Sequence, residues 1–169
     1  MKIIVMSDSH LDQEALQYVI ELHEDADLFI HLGDGEREMN QILQSHPWLE
    51  EKLFYLKGNC DAGTRVPQTQ QRLIYTLPYG HRIFAAHGDE FQVKFSKTRL
   101  IYEARQNNCD IVLYGHTHIP EDRYEDGMYI LNPGSIGCPI DGYPASYMLL
   151  SVSEKGILPN IVSLEDGLQ

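Results

Sequence analysis

Short apolar runs alternate with helix-like segments in the first half of the chain. The first run, residues 3–6, holds four consecutive apolar side chains, which is typical of a strand buried on both faces. Residues 11–24 carry a broad apolar face at helical spacing, and residues 36–44 predict a second helix. Similar strand-like runs occupy residues 27–32, 52–57 and 110–114. Strands that alternate with helices indicate parallel β-α-β units.

Paired strands dominate the second half. Residues 72–77 and 82–86 flank a turn-forming sequence, and residues 121–131 and 147–162 predict two further hairpins. A third helix is predicted from about residue 91 to residue 107, where apolar residues again recur at helical spacing. The whole pattern predicts an α/β fold in which two mixed β-sheets pack as a sandwich with helices on the outer faces. We expect a single domain spanning residues 1–169.

Charge and composition narrow the classes of function. The formal net charge of −12 argues against a broad surface for nucleic acid or acidic membranes, because nothing extended would neutralise phosphates. The cysteines Cys60, Cys109 and Cys138 are scattered and fit reduced thiols. No run approaches the roughly 18 apolar residues of a membrane span, and the N-terminus does not resemble a signal peptide. We therefore expect a cytoplasmic protein.

Five apolar runs are followed by a small residue and by side chains that can bind metal. These segments are Asp8-Ser9-His10, Gly33-Asp34, Gly58-Asn59-Cys60-Asp61, His87-Gly88 and Gly115-His116-Thr117-His118. One such segment alone would be ordinary, since Gly-Asp after a strand is usually a turn, and Ser7 or Asp8 could cap the following helix. Ligands of open α/β sheets bind at strand ends, so five such segments together predict a metal site.

Seven side chains in these segments are candidate ligands: Asp8, His10, Asp34, Asn59, His87, His116 and His118. Imidazole and carboxylate together suit Mn, Fe, Zn, Co or Ni better than Ca or Mg, which prefer all-oxygen shells. Seven ligands are too many for one tetrahedral ion and suit two ions about 3.5–4 Å apart that share a carboxylate. Because few of the ligands are anionic, the site would be net positive and could bind a phosphate group inside an acidic protein.

The order of these motifs resembles the calcineurin-like metallophosphoesterase superfamily. The chain reads D-x-H from Asp8, G-D from Gly33, G-N-x-D from Gly58, H-G from His87 and G-H-T-H from Gly115. The short length, the sequence GNCD and the sequence NPGS at residues 132–135 resemble its small single-domain, YfcE-type phosphodiesterase branch. The resemblance spans residues 3–135. It implies a metallo-dependent phosphatase-like fold that hydrolyses phosphate esters, most of all diesters, by attack of a metal-bridging hydroxide on phosphorus.

The resemblance also implies a role for each ligand. By the family's pattern, Asp8, His10 and His118 hold one ion. Asn59, His87 and His116 hold the other, and Asp34 bridges the two. Asp34, Asn59 and His87 are the residues predicted to be catalytic. The expected cofactor is two divalent ions per chain, with Mn²⁺ the first choice and Ni, Fe, Zn, Co or Mg as alternatives, and the expected substrate is a small phosphate ester.

Two positions depart from the family's pattern. Cys60 stands where many members have a histidine that stabilises the transition state or protonates the leaving oxygen, although members of the small branch commonly carry cysteine there. A thiol is a poor general acid for an alkoxide, so we expect diesters with good leaving groups to be favoured over alkyl monoesters. Asp89 stands where the branch often has a second histidine. This difference affects contacts to the substrate or contacts that support the ligands, and it does not change the set of metal ligands.

Other polar residues are expected to have indirect roles. Asp61 is expected to orient a ligand or its loop. Arg37 and Arg65 follow metal motifs and could contact substrate, and a solvated role is equally open for each. His31 lies inside a predicted strand, where a core position is favoured over a ligand. Three further histidines are expected at the surface: His23, His46 and His81.

Two other classes of function stay open. The small branch includes a eukaryotic retromer subunit, so the same fold can serve as a protein-binding scaffold. The intact set of ligand types, in particular His10 and Asp34, favours an enzyme. A metal-dependent nuclease is the third class, and the absence of basic stretches counts against it. We expect no membrane partner and no nucleic-acid partner, and a homo-oligomer, either a dimer or a tetramer, stays open.

Overall fold

The structure is a computed structural model that describes residues 1–164. These residues contain ten β-strands and three α-helices. The strands are β1 Lys2–Met6, β2 Leu28–His31, β3 Leu53–Tyr55, β4 Arg72–Thr76, β5 Arg82–Ala86, β6 Ile111–Tyr114, β7 Glu121–Glu125, β8 Met128–Asn132, β9 Ser146–Ser153 and β10 Gly156–Ser163. The helices are α1 Gln13–Leu22, α2 Glu36–Ser45 and α3 Thr98–Gln106. The end of the predicted domain, residues 165–169, lies outside the described residues.

The strands form two mixed sheets of five strands each. The first sheet has the order β10-β9-β1-β2-β3 and the second has the order β4-β5-β6-β8-β7. Strands β1, β2 and β3 are mutually parallel, as are β5, β6 and β8, whereas the three predicted hairpins are antiparallel. The parallel strands β2 and β6 are buried along their whole length, as their unbroken apolar runs predict. The predicted α/β arrangement of two mixed sheets is confirmed.

Apolar side chains fill the space between the sheets and the space under the helices. Ile30 of the first sheet and Leu113 of the second belong to one buried cluster between the sheets. Leu16 of α1 and Met39 of α2 cover the outer face of the first sheet, and Leu100 of α3 covers the outer face of the second. Burying each such side chain contributes about 1.5–3 kcal/mol to stability. None of the helices in residues 1–164 combines the length and the apolar character needed to cross a membrane.

Two predictions about local structure are wrong. The helix predicted from about residue 91 begins at Thr98, because Gln92 adopts a left-handed φ of 57° and ends a short 3₁₀ turn. Phe95 is 91% exposed, so the apolar spacing before Thr98 does not mark a buried helix face. His23, expected at the surface, is buried, and its Nε2 lies 2.8 Å from the hydroxyl of Tyr147 on β9.

Backbone hydrogen bonds join the loops that follow the parallel strands. The N–H of Asp8 donates to the carbonyl of Gly33, so the loop after β1 is tied to the loop after β2. In the second sheet, the N–H of Gly115 donates to the carbonyl of His87. The N–H of His116 donates to the Asp8 carboxylate at 3.0 Å and links the two sheets. The fold therefore gathers the ends of parallel strands from both sheets at one place.

Candidate metal centre

Seven polar side chains converge where the parallel strands of the two sheets end. Those of the first sheet are Asp8 and His10 after β1, Asp34 after β2 and Asn59 after β3. Those of the second sheet are His87 after β5, and His116 and His118 after β6. We call these seven residues the ligand cluster. It contains every side chain that the sequence predicts as a metal ligand.

Asp8, His10 and His118 form one group within the ligand cluster. The Asp8 Oδ1 atom lies 3.2 Å from Nε2 of His118 and 3.7 Å from Nε2 of His10, and these two nitrogens are 3.2 Å apart. Ligands about 2.0–2.2 Å from one ion are about 3–3.5 Å from each other, so the spacing fits a single ion. Among residues 1–164, Oδ1 of Asp8 is buried without a hydrogen-bond partner, whereas Oδ2 accepts from Ser7 and His116. A bound cation would satisfy this buried oxygen.

Asp34, Asn59, His87 and His116 form the second group. The Nε2 atom of His87 lies 3.1 Å from Oδ1 of Asn59 and 3.2 Å from Nδ1 of His116. The same Nε2 atom lies 3.4 Å from Oδ2 of Asp34. This Asp34 oxygen is also 3.9 Å from Nε2 of His10, which belongs to the first group. Asp34 therefore lies between the two groups, where a carboxylate can be shared by two ions.

Main-chain carbonyls fix the orientation of two imidazole rings. Nδ1 of His87 lies 2.8 Å from the carbonyl oxygen of Leu32, and Nδ1 of His118 lies 2.6 Å from that of Cys138. Because a carbonyl oxygen only accepts, Nδ1 carries the proton in both rings. The neutral ring then keeps its lone pair on Nε2, which faces the ligand cluster. This is the arrangement in which histidine binds a metal.

The charges in the ligand cluster favour deprotonated carboxylates. Burial alone would raise the pKa of Asp8, but the imidazoles of His10 and His118 hold that pKa well below its usual range. Burial alone would lower the pKa of His87. The Asp34 carboxylate has the larger, opposite effect, and the pKa of His87 is raised. Protons on the neighbouring imidazoles would balance the charge of the buried carboxylates when no cation is bound. A divalent ion would replace those protons.

Unusual backbone conformations aim the ligands at one another. Five of the seven have left-handed φ values: Asp8 55°, His10 42°, Asp34 59°, His116 64° and His118 59°. A glycine completes the geometry after β3, because a Cβ on Gly58 would lie 2.0 Å from Oδ1 of Asp34. That oxygen accepts a hydrogen bond of 2.8 Å from the N–H of Cys60. The strand-end glycines therefore allow backbone and carboxylate to approach closely.

Asp61 organises the loops around Asp34 through its own carboxylate. It accepts hydrogen bonds from the N–H groups of Asp34 at 2.8 Å, Glu36 at 3.1 Å and Gly58 at 2.9 Å. It also accepts from the hydroxyl of Tyr55 at 2.9 Å. The carboxylate of Asp61 therefore lies behind the ligand cluster and connects the ends of β2 and β3.

The remaining predicted site residues lie at the edge of the ligand cluster. Cys60 is exposed as a whole, but its thiol is partly buried. This partial burial, and then the nearby Asp34 carboxylate, raise the pKa of the thiol to about 11. Asp89 is exposed beyond β5, where its negative charge acts on His116. Arg37 and Arg65 are exposed and line a cleft of about 390 Å³ that His10, Asp34 and Cys60 also line.

Two buried glutamates near the ligand cluster were not predicted from the sequence. Glu36 is 5% exposed and Glu38 is 2% exposed, although glutamate usually lies at the surface. Glu38 accepts hydrogen bonds from the Ser9 hydroxyl at 2.6 Å and from the Leu11 N–H at 2.9 Å, so it holds the loop that carries His10. Their place in the first turn of a helix that follows a ligand loop is the sequence feature that could have indicated them.

The segment of residues 132–135 supports the ligand cluster from the second sheet. The Ser135 hydroxyl donates to the Asp8 carbonyl at 2.7 Å and accepts from the N–H of Cys138 at 2.8 Å. The Asn132 amide donates to the Gly115 carbonyl at 3.1 Å. Both residues are buried. They therefore hold the loops of Asp8 and His116 and contribute no ligand atom of their own.

The family follows from comparison with known sequences. The model of the calcineurin-like phosphoesterase superfamily domain matches residues 1–155. The chain belongs to the calcineurin-like phosphoesterase superfamily. Its members include the probable metallophosphoesterase YsnB of Bacillus subtilis, which is 34% identical over 154 residues that cover 90% of this chain and 85% of YsnB. Phosphodiesterase YfcE of Escherichia coli is 28% identical, and the match covers 98% of this chain and 94% of YfcE.

Solved structures of this superfamily fold agree with the sequence comparison. A predicted phosphoesterase of Streptococcus pneumoniae superposes with a TM-score of 0.79 at 30% identity, covering 96% of this chain and 88% of that one. Vacuolar Protein Sorting 29 of Cryptosporidium parvum superposes with a TM-score of 0.77 at 16% identity, covering 98% and 92%, which is a likeness of fold alone. The predicted superfamily, its small YfcE-like branch and the assignment as a hydrolase of phosphate esters are confirmed.

Proposed function

We propose that this superfamily member is a phosphodiesterase that uses two divalent ions held by the ligand cluster. Asp8, His10 and His118 would hold one ion, Asn59, His87 and His116 would hold the other, and Asp34 would be shared. The observation that carries the proposal is the buried, unpaired Oδ1 of Asp8, which faces two imidazole nitrogens. When bound, such ions polarise a phosphate ester and make water acidic enough to attack near neutral pH.

The chain's own residues prepare the site before any ion binds. The carbonyls of Leu32 and Cys138 keep the Nε2 lone pairs of His87 and His118 pointing inward. Cys60 supplies no cation at the cleft, and a thiol is a poor general acid for an alkoxide leaving group. A leaving group must therefore depart without strong protein assistance, which favours diesters with acidic leaving groups.

The test is hydrolysis of bis(p-nitrophenyl) phosphate. Protein stripped with chelator should be inactive and should regain turnover with Mn²⁺. We expect the turnover number with Mn²⁺ to be higher than with Ni, Fe, Zn, Co or Mg. Asp34→Ala should lower the turnover number by about a thousandfold, because it removes the carboxylate shared by both ions. p-Nitrophenyl phosphate, the matching monoester, should be hydrolysed more slowly.

Asp122→Ala is the matched control, since it removes an exposed carboxylate on β7 and should leave turnover unchanged. Circular dichroism establishes that each variant is folded. Metal-independent turnover, or full activity of Asp34→Ala, would refute the proposal. A dimer or tetramer and a cytoplasmic location remain predictions alongside it.

A protein-binding scaffold is the second candidate, favoured by the structural likeness to Vacuolar Protein Sorting 29. It predicts a folded protein without turnover for any divalent ion. The complete ligand cluster favours the enzyme, because a scaffold does not require these seven side chains to converge. The absence of turnover in folded, metal-loaded protein would favour the scaffold.

A further inference from the structure

Two arginines without partners line the cleft beside the ligand cluster. The cleft has a volume of about 390 Å³ and is lined by His10, Asp34, Cys60, Arg37 and Arg65, among others. Within residues 1–164, neither guanidinium group makes an ion pair or a hydrogen bond. By contrast, Arg72 pairs with Glu90 at 2.9 Å and Arg123 pairs with Glu125 at 2.6 Å. The pair in the cleft is therefore free to bind a ligand.

The Glu36 carboxylate joins the backbone segments that carry the two arginines. It accepts hydrogen bonds from the N–H groups of Ala62 at 2.9 Å, Thr64 at 2.5 Å and Arg65 at 2.6 Å. Because Glu36 precedes Arg37 in α2, these bonds attach the loop that carries Arg65 to the first turn of that helix. The backbone positions of the two arginines are thus set by the fold, and both side chains extend from them at the surface.

The acidic residues of the cleft wall are already occupied. Glu36 is bonded to the loop, Glu38 to Ser9 and Leu11, and Asp61 to three backbone N–H groups and a hydroxyl. Glu36 and Glu38 are also almost fully buried, whereas the two arginines are exposed. The carboxylates of Glu36, Glu38 and Asp61 are therefore engaged within the protein, whereas the two guanidinium groups are available to a ligand.

The charge of a simple phosphodiester does not account for these arginines. Two divalent ions would bring four positive charges, and the ligand cluster contains only the carboxylates of Asp8 and Asp34 to balance them. The excess already faces the single negative charge of the scissile diester. Arg37 and Arg65 add two further positive charges to the lining of the same cleft. Guanidinium groups match phosphate oxygens in bidentate geometry.

We propose that Arg37 and Arg65 form a subsite for a second phosphate group of the substrate. The inference rests on the proposed function, since it places the scissile diester at the ligand cluster and the second phosphate at the arginines. The natural substrate would then be a phosphodiester that carries an additional terminal phosphate. The two arginines determine specificity and do not touch the reacting atoms.

Two chromogenic probes with the same scissile bond test the subsite. One is the p-nitrophenyl ester of thymidine 5′-phosphate, and the other is the same compound with a 3′-phosphate. Native protein should show a kcat/KM at least about tenfold higher for the phosphorylated probe. Arg37→Gln and Arg65→Gln should each reduce this preference for the phosphorylated probe, and the double variant should abolish it. The double variant should change kcat/KM for the probe without the 3′-phosphate by less than about twofold.

Arg99→Gln, an exposed change on α3, is the matched control and should keep the full preference. Equal rates of native protein on both probes would overturn the subsite. An equal loss on both probes in the arginine variants would overturn it too, because the arginines would then bind the scissile phosphate itself.

A binding measurement separates the subsite from the proposed activity. By calorimetry, metal-loaded protein should bind thymidine 3′,5′-bisphosphate at least about tenfold more tightly than thymidine 5′-monophosphate, and the double variant should lose the difference. If neither probe is hydrolysed but this difference is present, the phosphodiesterase proposal fails and the subsite stands. If the probes are hydrolysed and the difference is absent, the subsite fails alone.

Discussion

At the scale of single residues, the ligand cluster depends on backbone angles that most side chains avoid. Five of its seven ligands have left-handed φ values, a conformation that costs a typical L-residue about 1–2 kcal/mol and that aspartate and histidine tolerate better than most. The hydrogen bonds of Ser135 and Glu38 hold the loop that carries Asp8 and His10 in place. Such local strain is typical of functional sites.

Cys60 gives the first residue-scale prediction. Cys60→His should raise the ratio of monoester to diester kcat/KM by about tenfold or more, because an imidazolium at the cleft supplies a positive charge for a dianion and a general acid for the leaving oxygen. The measurement compares p-nitrophenyl phosphate with bis(p-nitrophenyl) phosphate in the metal-loaded protein. Cys60→Ser is the matched control and should leave the ratio near that of native protein. An unchanged ratio in Cys60→His would exclude this account of the preference for diesters.

At the scale of secondary structure, the positions of strand ends can be predicted from the sequence. The pairing of residues that are far apart in the sequence cannot. The apolar runs and the small residues after them correctly locate β1, β2, β5 and β6, and parallel strands bring such ends to one edge. Sequence periodicity could not show that β9 inserts beside β1, because that pairing joins residues about 145 positions apart. For the same reason, His23 was wrongly expected at the surface: its partner Tyr147 is 124 residues away. The error at α3 arose from an exposed phenylalanine, Phe95, at helical spacing.

His31 connects three neighbouring elements of the first sheet. It ends β2, its Nε2 lies 3.2 Å from the Ser9 hydroxyl after β1, and its ring stacks on Tyr55 of β3 with centroids 5.0 Å apart. The Ser9 hydroxyl donates to Glu38, so the His31 Nε2–H donates to Ser9, while Nδ1 accepts from the Gly33 N–H at 3.2 Å. A neutral ring satisfies this network. Protonation of Nδ1 would break it.

The stability of the metal-free protein should therefore fall as the pH drops from about 6.5 to 4. Burial lowers the pKa of His31 in the folded state to about 4, whereas the unfolded state keeps its ordinary value of 6.5. The unfolded chain then binds more protons within that window, so stability is fully present above pH 6.5 and is lost as the pH falls, by about 3 kcal/mol. Urea denaturation at several pH values measures the effect.

His31→Gln is the comparison that isolates this histidine, since the amide keeps a donor for Ser9 and does not titrate. Its free energy of unfolding should depend less on pH between 6.5 and 4 than that of native protein. Parallel curves for the two proteins would show that other groups are responsible for the loss.

At the scale of the whole molecule, the ligand cluster joins the two sheets. Asp8 and His118, which face each other at 3.2 Å, come from opposite sheets, and so do Asp34 and His87. An ion bound by such a pair is a link across the sandwich and stabilises only the folded chain, since the unfolded chain cannot present both ligands together.

Metal removal should lower the melting temperature as a consequence. At a free concentration of one hundred times its dissociation constant, an ion stabilises the folded state by about 2.7 kcal/mol, which corresponds to roughly 5–10 °C for a chain of this size. Differential scanning fluorimetry of chelator-treated protein, with and without Mn²⁺, measures the shift. Asp8→Asn should reduce it by at least half. A full shift in this variant would place the stabilising ion elsewhere on the protein.

The pairing of β1 with β9 determines when the site can exist during synthesis. Strand β1, which Asp8 and His10 follow, is made before the rest of both sheets, but its neighbour β9 consists of residues 146–153, and His118 lies more than 100 residues behind His10. Before residue 87 is made, only four of the seven residues of the ligand cluster exist, and until residues 146–153 are made the first sheet lacks one of its interior strands. We therefore expect an ion to bind late in folding, after apolar packing has brought the strand ends of the two sheets together.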